Sequence, residues 1–123
     1  MRMILIALAI AAIAAPGAAR DRGQVPEATP TGKPENCVTT SRIRTTHVRN
    51  DSVIDFEMNG GQIYRNTLPY ACPSLGFDQA FGYETHTGEL CSIDTITVLR
   101  TGAGTRGPTC GLGEFQPVKL ARK

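Results

Sequence analysis

The sequence predicts an all-β protein, a small antiparallel barrel or curled meander of five to six strands. Three observations carry this. Several short segments alternate apolar and polar residues at period two. No segment repeats its apolar residues at the 3.6-residue period of a helix. Glycine- and proline-bearing turns punctuate the chain between those segments, as in an all-β domain.

The elements follow in order. "VTTSRIRTTHV", residues 38–48, is rich in Thr, Val and Ile and lacks Gly and Pro, a composition that suits a strand. Ile43 falls on the opposite face from Val38 and Val48, so a bulge or an edge position is expected there. "SVIDFEM", residues 52–58, is cleaner: Ile54, Phe56 and Met58 share one face, Asp55 and Glu57 the other. Asn59-Gly60-Gly61 then signals a hairpin, because Asn and Gly accept positive φ. The return strand is 62–68. A two-residue turn would put Ile63 on the face of Phe56; a three-residue bulged turn would put Tyr64 there. "YACPSLGFDQ" reads as a loop with room for one helical turn after Pro73. Phe81, Tyr83 and Thr85 alternate again, and residues 86–89 form a second turn. "LCSIDTITVL", residues 90–99, is the most strand-like run. Residues 102–113, with their glycines and a proline, read as loop. Residues 114–120 form a last strand, placed at an edge by Pro117.

This body, residues 37–120, is read as a single domain. Residues 1–19 precede it as a secretory signal peptide: Arg2, an apolar run from Ile4 to Ala15, a Pro16-Gly17 break and small residues up to Ala19. The apolar run is too short to span a membrane, which takes about 20 residues. Residues 20–36, "RDRGQVPEATPTGKPEN", carry three prolines and one sizeable apolar side chain, and are expected to be a flexible leader. Cleavage after Ala19 would leave 12 basic against 11 acidic side chains. That near-neutral balance argues against a nucleic-acid partner. An exported destination, periplasmic or extracellular, is expected, with no membrane span after cleavage.

Four cysteines, Cys37, Cys72, Cys91 and Cys110, fit two disulfides in a small exported chain. A zinc site would bring its ligands in close pairs; here the nearest cysteines are 19 apart and His47 and His86 stand alone. Three pairings are open. The preferred one joins Cys72 to Cys91 as a local loop and Cys37 to Cys110 across the body.

Residues 102–107, "GAGTRG", match the letters of a dinucleotide-binding loop. That chemistry needs a helix N-terminus at the last glycine, and "PTCGLG" cannot supply one. No cofactor is expected. A hydrolase needs a nucleophile, a base and an orienting group. Ser92, Asp94, His47 and His86 have no spacing that unites them, no G-x-S-x-G is present, and Asp55 and Glu57 are not expected to act as a carboxylate pair. The expected function is therefore non-catalytic: a binding or structural module whose partner is a protein or another component of the cell envelope. Arg42 and Arg44, read as sharing a strand face, and Arg106 are the candidate interaction residues. Two other readings are a secreted hydrolase inhibitor that presents the 102–107 loop with Arg106 at its tip, and a small hydrolase. Asn50-Asp51-Ser52 fits the N-glycosylation pattern, but the short, alanine-rich leader has a bacterial character, so no sugar is expected.

"SRIRTTHV", "RNTLPYACP", "LCSIDTI" and "CGLGEF" together resemble a family of small exported proteobacterial proteins catalogued as a domain of unknown function. The resemblance runs from Cys37 to about Val118. It implies export and a single domain, and it assigns no residue a role.

Overall fold

A computed structural model describes residues 25–85, 87–102 and 105–121. The signal-peptide reading of residues 1–19, the first residues of the leader and His86 lie outside the described residues. The described residues form ten short strands: β1 (Ala28–Pro30), β2 (Cys37–Thr39), β3 (Ile43–Val48), β4 (Val53–Met58), β5 (Ile63–Thr67), β6 (Phe81–Gly82), β7 (Glu89–Cys91), β8 (Thr95–Arg100), β9 (Thr105–Gly111) and β10 (Phe115–Leu120). They form a five-stranded sheet in the order β1-β10-β5-β4-β3, a β2-β7 pair and a three-stranded β6-β8-β9 sheet. Every pairing is antiparallel. The all-β class is as the sequence predicts, and the sheets curl without closing into a barrel.

The strands outnumber the five or six expected because two long runs are interrupted. Residues 38–48 break at a 3-10 turn, Thr40–Arg42, which separates β2 from β3. Residues 90–99 break after Cys91, where the Asp94 carboxylate accepts the Cys91 N–H at 2.7 Å and the Asp94 N–H returns to the Cys91 carbonyl at 2.9 Å. A short polar side chain here offers the backbone a turn in place of a ladder. A third departure is β9. The expected loop over 102–113 is strand from Thr105 to Gly111, with a register shift opposite Val98. Glycine weakens a strand without forbidding it, and here it marks a bulge: a Cβ on Gly107 would sit 3.1 Å from the Val98 Cβ.

The leader also departs from its flexible reading. β1 pairs with β10, with Thr29 opposite Lys119, and Glu35 exchanges two 2.8 Å main-chain bonds with Phe115. This pairing uses main-chain groups, so it needs none of the apolar side chains whose scarcity suggested disorder. Pro30 is tolerated because β1 is an edge strand.

One core serves all three sheets. Phe56, Phe115, Ile54, Leu75, Leu90, Ile96 and Val98 are fully buried. The Phe56 ring meets Phe115 edge-on at 5.3 Å and Phe81 at 6.2 Å, tying β4 to β10 and to β6. The one helical turn, α1 (Leu75–Asp78), follows Pro73 as expected and drops Leu75 into this core. The hairpin takes the three-residue turn: Met58 N–H bonds to the Gln62 carbonyl, and Gly60 and Gly61 both adopt φ of 96°. Phe56 therefore faces Tyr64, and Asp55 faces Arg65.

The disulfides are Cys37–Cys91 and Cys72–Cys110, which corrects the preferred pairing. Cys37 lies directly opposite Cys91 in the β2-β7 register. Cys72 is fully buried, and its partner on β9 packs against the same core.

Asn66 is buried on β5 and clamps the segment before β10. Its amide donates to the Gly113 carbonyl and accepts the Gly113 N–H, both at 2.7 Å. A Cβ on Gly113 would lie 2.3 Å from the Thr67 carbonyl oxygen, which is backbone and cannot swing aside. Gly113→Ala is expected to cost about 2–4 kcal/mol, since the clamp must open and leave a buried amide unsatisfied. Gly111→Ala, whose Cβ meets nothing within 4 Å, should be much milder. Thermal denaturation of both variants checks this; equal midpoints would refute the clamp.

Candidate functional site

The register shift in β3 decides where the candidate arginines go. Ile43 pairs with Met58, but Thr45 already pairs with Glu57, so Arg44 is the extra residue of a bulge. Arg44 approaches the Glu57 carboxylate at 3.8 Å. Arg42 sits two residues earlier, in the 3-10 turn, and lines a different concavity. The two arginines thus do not form the shared patch that the sequence suggested. The bulge and the edge position expected for this strand are both present.

Arg42's concavity is small, about 300 Å³, and lies beside the Cys37–Cys91 bridge. Met58 and Val38 give it an apolar wall; Glu35, Arg42, Gln62 and Tyr64 give it polar groups. Neither Glu35 nor Arg42 has an ion-pair partner among the described residues. Their influence meets at Tyr64. Burial pushes the Tyr64 phenol above its usual pKa, Glu35 pushes it the same way, and Arg42 opposes. The phenol therefore stays protonated and can donate as well as accept. The site offers a carboxylate, a guanidinium and a phenol within one shallow bowl.

The outer face of the five-stranded sheet holds a second group of charges. Asp55 is fully buried and accepts from Arg65 Nε and Nη2 at 2.8 and 2.9 Å and from Arg49 Nε at 2.9 Å. Burial pushes its pKa up, but the hydrogen bonds and charges of Arg65 and Arg49 outweigh that and hold it below the ordinary carboxylate value. Beside it, His47 Nε2 lies 3.1 Å from Glu57 Oε1. The sequence places Asp55 and Glu57 on one face, and the structure agrees. It does not reveal the arginines around Asp55. Those follow only once the turn is known to hold three residues, because that register alone sets Asp55 opposite Arg65.

The remaining candidates are dispersed. Ser92 Oγ bonds to the Asn36 side chain, and Asp94 is engaged with the Cys91 backbone. His47 is on β3 in a different sheet. Arg106 lies in β9 opposite Leu99, not at a loop tip, and lines an open hollow with Tyr83 and Ile93. Cys37, Glu89 and Cys91 lie close enough to suggest a metal group, but the two sulfurs are bonded to each other.

The fold and these hollows define a small antiparallel β domain stapled by two disulfides, with charged concavities on two faces. No family model, no curated protein and no solved structure matches the chain.

Proposed function

We propose that the protein is an exported, non-catalytic module that works in the periplasm or outside the cell by binding a component of the envelope. One observation carries the reading: Glu35 and Arg42 flank Tyr64 in a concavity beside a disulfide, with no ion-pair partner of their own among the described residues. Two charges of opposite sign, held by stapled backbone and left available, suit recognition of a polar ligand. Two disulfides are compatible with an oxidising compartment. The reading as a hydrolase finds less support, since Ser92, Asp94 and His47 each serve a local bond in separate places. The inhibitor reading is weakened because residues 105–107 belong to a strand.

Native mass spectrometry of the protein recovered from its producing cells tests the proposal. The expected mass lacks residues 1–19, and a bound species should leave on Arg42→Ala or Glu35→Ala. A retained Met1 would overturn the export. Turnover of ester, peptide or glycoside substrates that Ser92→Ala abolishes would overturn the non-catalytic reading.

A further inference from the structure

We infer that the outer face of the five-stranded sheet binds an amphipathic anion: a carboxylate with a medium-length aliphatic tail. An antiparallel sheet packed on one side normally shows water a polar face on the other. This face is different. Ile63 is an apolar side chain left partly exposed on the side of Glu57, and Val118, opposite it, lies buried on the same side. Leu120, two residues further along β10, continues the same side. Ile63, Val118 and Leu120 make an apolar floor to a groove, with the hairpin glycines Gly60 and Gly61 at its mouth.

A cationic group bounds that floor: Arg49 lines the β3 end. Arg49 gives its Nε to Asp55, and a guanidinium carries five N–H donors in a rigid fork. Its two Nη groups have no acceptor among the described residues. They are therefore available to take a second carboxylate edge-on, the geometry arginine favours. The Asp55 bond already holds the side chain, so little ordering remains to be lost on binding. One carboxylate between two guanidiniums leaves that cluster net positive. Glu57, the acidic group of the groove, is paired with Arg44 at 3.8 Å and lies 3.1 Å from His47 Nε2. From Asp55, which holds Arg49, Ile63 lies one strand spacing across and two residues along, about 8 Å, so a medium-length aliphatic tail anchored at Arg49 reaches the floor. The groove lies on the opposite face of β5 from Tyr64, so it is a second site.

Titration of the ¹⁵N-labelled, disulfide-intact protein with octanoate, octanol and octylammonium tests the inference. Octanoate should give saturable amide shifts at Ile63, Val118 and Leu120. Octanol should bind at least about tenfold more weakly, as expected for loss of a hydrogen bond to a charged group. Arg49→Met keeps an apolar stem and should abolish the preference for octanoate over octanol. Leu120→Asp, a change in a partly exposed side chain of the floor, should weaken octanoate several-fold even if Arg49→Met fails to fold. Absence of saturable shifts with octanoate would overturn the inference. So would equal affinity for octanol or octylammonium, or octanoate binding unchanged in a folded Arg49→Met or in Leu120→Asp.

Discussion

Cys72→Ser is expected to lower the stability of the oxidised protein by about 4 kcal/mol. The Cys72–Cys110 bridge closes a loop of 38 residues, and the chain-entropy model assigns about that much to a loop of this length. Domains of this kind have only about 5–15 kcal/mol in total. The substitution also puts a hydroxyl where a fully buried sulfur sat in the core. Urea denaturation should show a large fall in midpoint, and peptide mapping should find Cys110 free with Cys37–Cys91 intact. An unchanged midpoint, or a free Cys91 in that variant, would contradict the structure. Reduction of both bridges under native conditions should go further and loosen the whole body.

Asp55→Ala should cost nearly as much, about 3–5 kcal/mol, for a different reason. It leaves the Arg49 and Arg65 guanidiniums facing each other, with side chains only 21 and 15 % exposed. Breaking a buried ion pair from one side is costly because the surviving charge stays desolvated. Asp55→Ala combined with Arg65→Met should recover part of the loss, which simple loss of packing would not allow. The same cluster predicts a pH dependence. The folded pKa of Asp55 lies below its unfolded value of about 3.9. Its contribution is therefore complete above the unfolded pKa and is lost as pH falls through the folded one. The stability gap between wild type and Asp55→Ala should be full at pH 7 and narrow steadily below about pH 4. A gap that is the same at pH 3 as at pH 7 would show that the cluster's charges do not stabilise the fold.

The sequence was most legible where side chains declare their own surroundings. Ile54, Phe56 and Met58 alternate with Asp55 and Glu57, and Asn59-Gly60-Gly61 can hardly be other than a turn; β4, the hairpin and β5 follow. β8 and β10 are strands as expected, but Pro117 does not put β10 at an edge: β10 lies between β1 and β5 and pairs with both. β1 was not legible, since its pairing with β10 is main-chain only and "ATP" says nothing about a neighbour. β9 was hidden by its glycines, which read locally as loop although the adjacent β8 recruits them. The cysteine pairing depended on β2 lying beside β7, a long-range contact that no local pattern records. The site was legible in the same uneven way. Arg42 stood out as an interaction candidate, but Glu35 lay in what looked like a leader, and Arg49 and Arg65 gave no sign that they converge on Asp55.

The position of β10 between β1 and β5 has a consequence for how the chain can be made. A ribosome or a translocation pore delivers residues in order, from the N-terminus. Until residues 115–120 emerge, β1 has no strand to join, β5 has an open edge, and Phe56 lacks Phe115 across the core. The β4-β5 hairpin can pair earlier, but the five-stranded sheet and the Phe56–Phe115 contact are completed only when β10 has been made. The interleaved bridges carry a cost in the same sequence of events. Cys37 and Cys72 come first in the chain, yet they belong to different bonds. An oxidase that joins thiols in order of emergence would make the wrong link, so correct folding calls for a disulfide isomerase or for oxidation that waits until Cys110 has arrived.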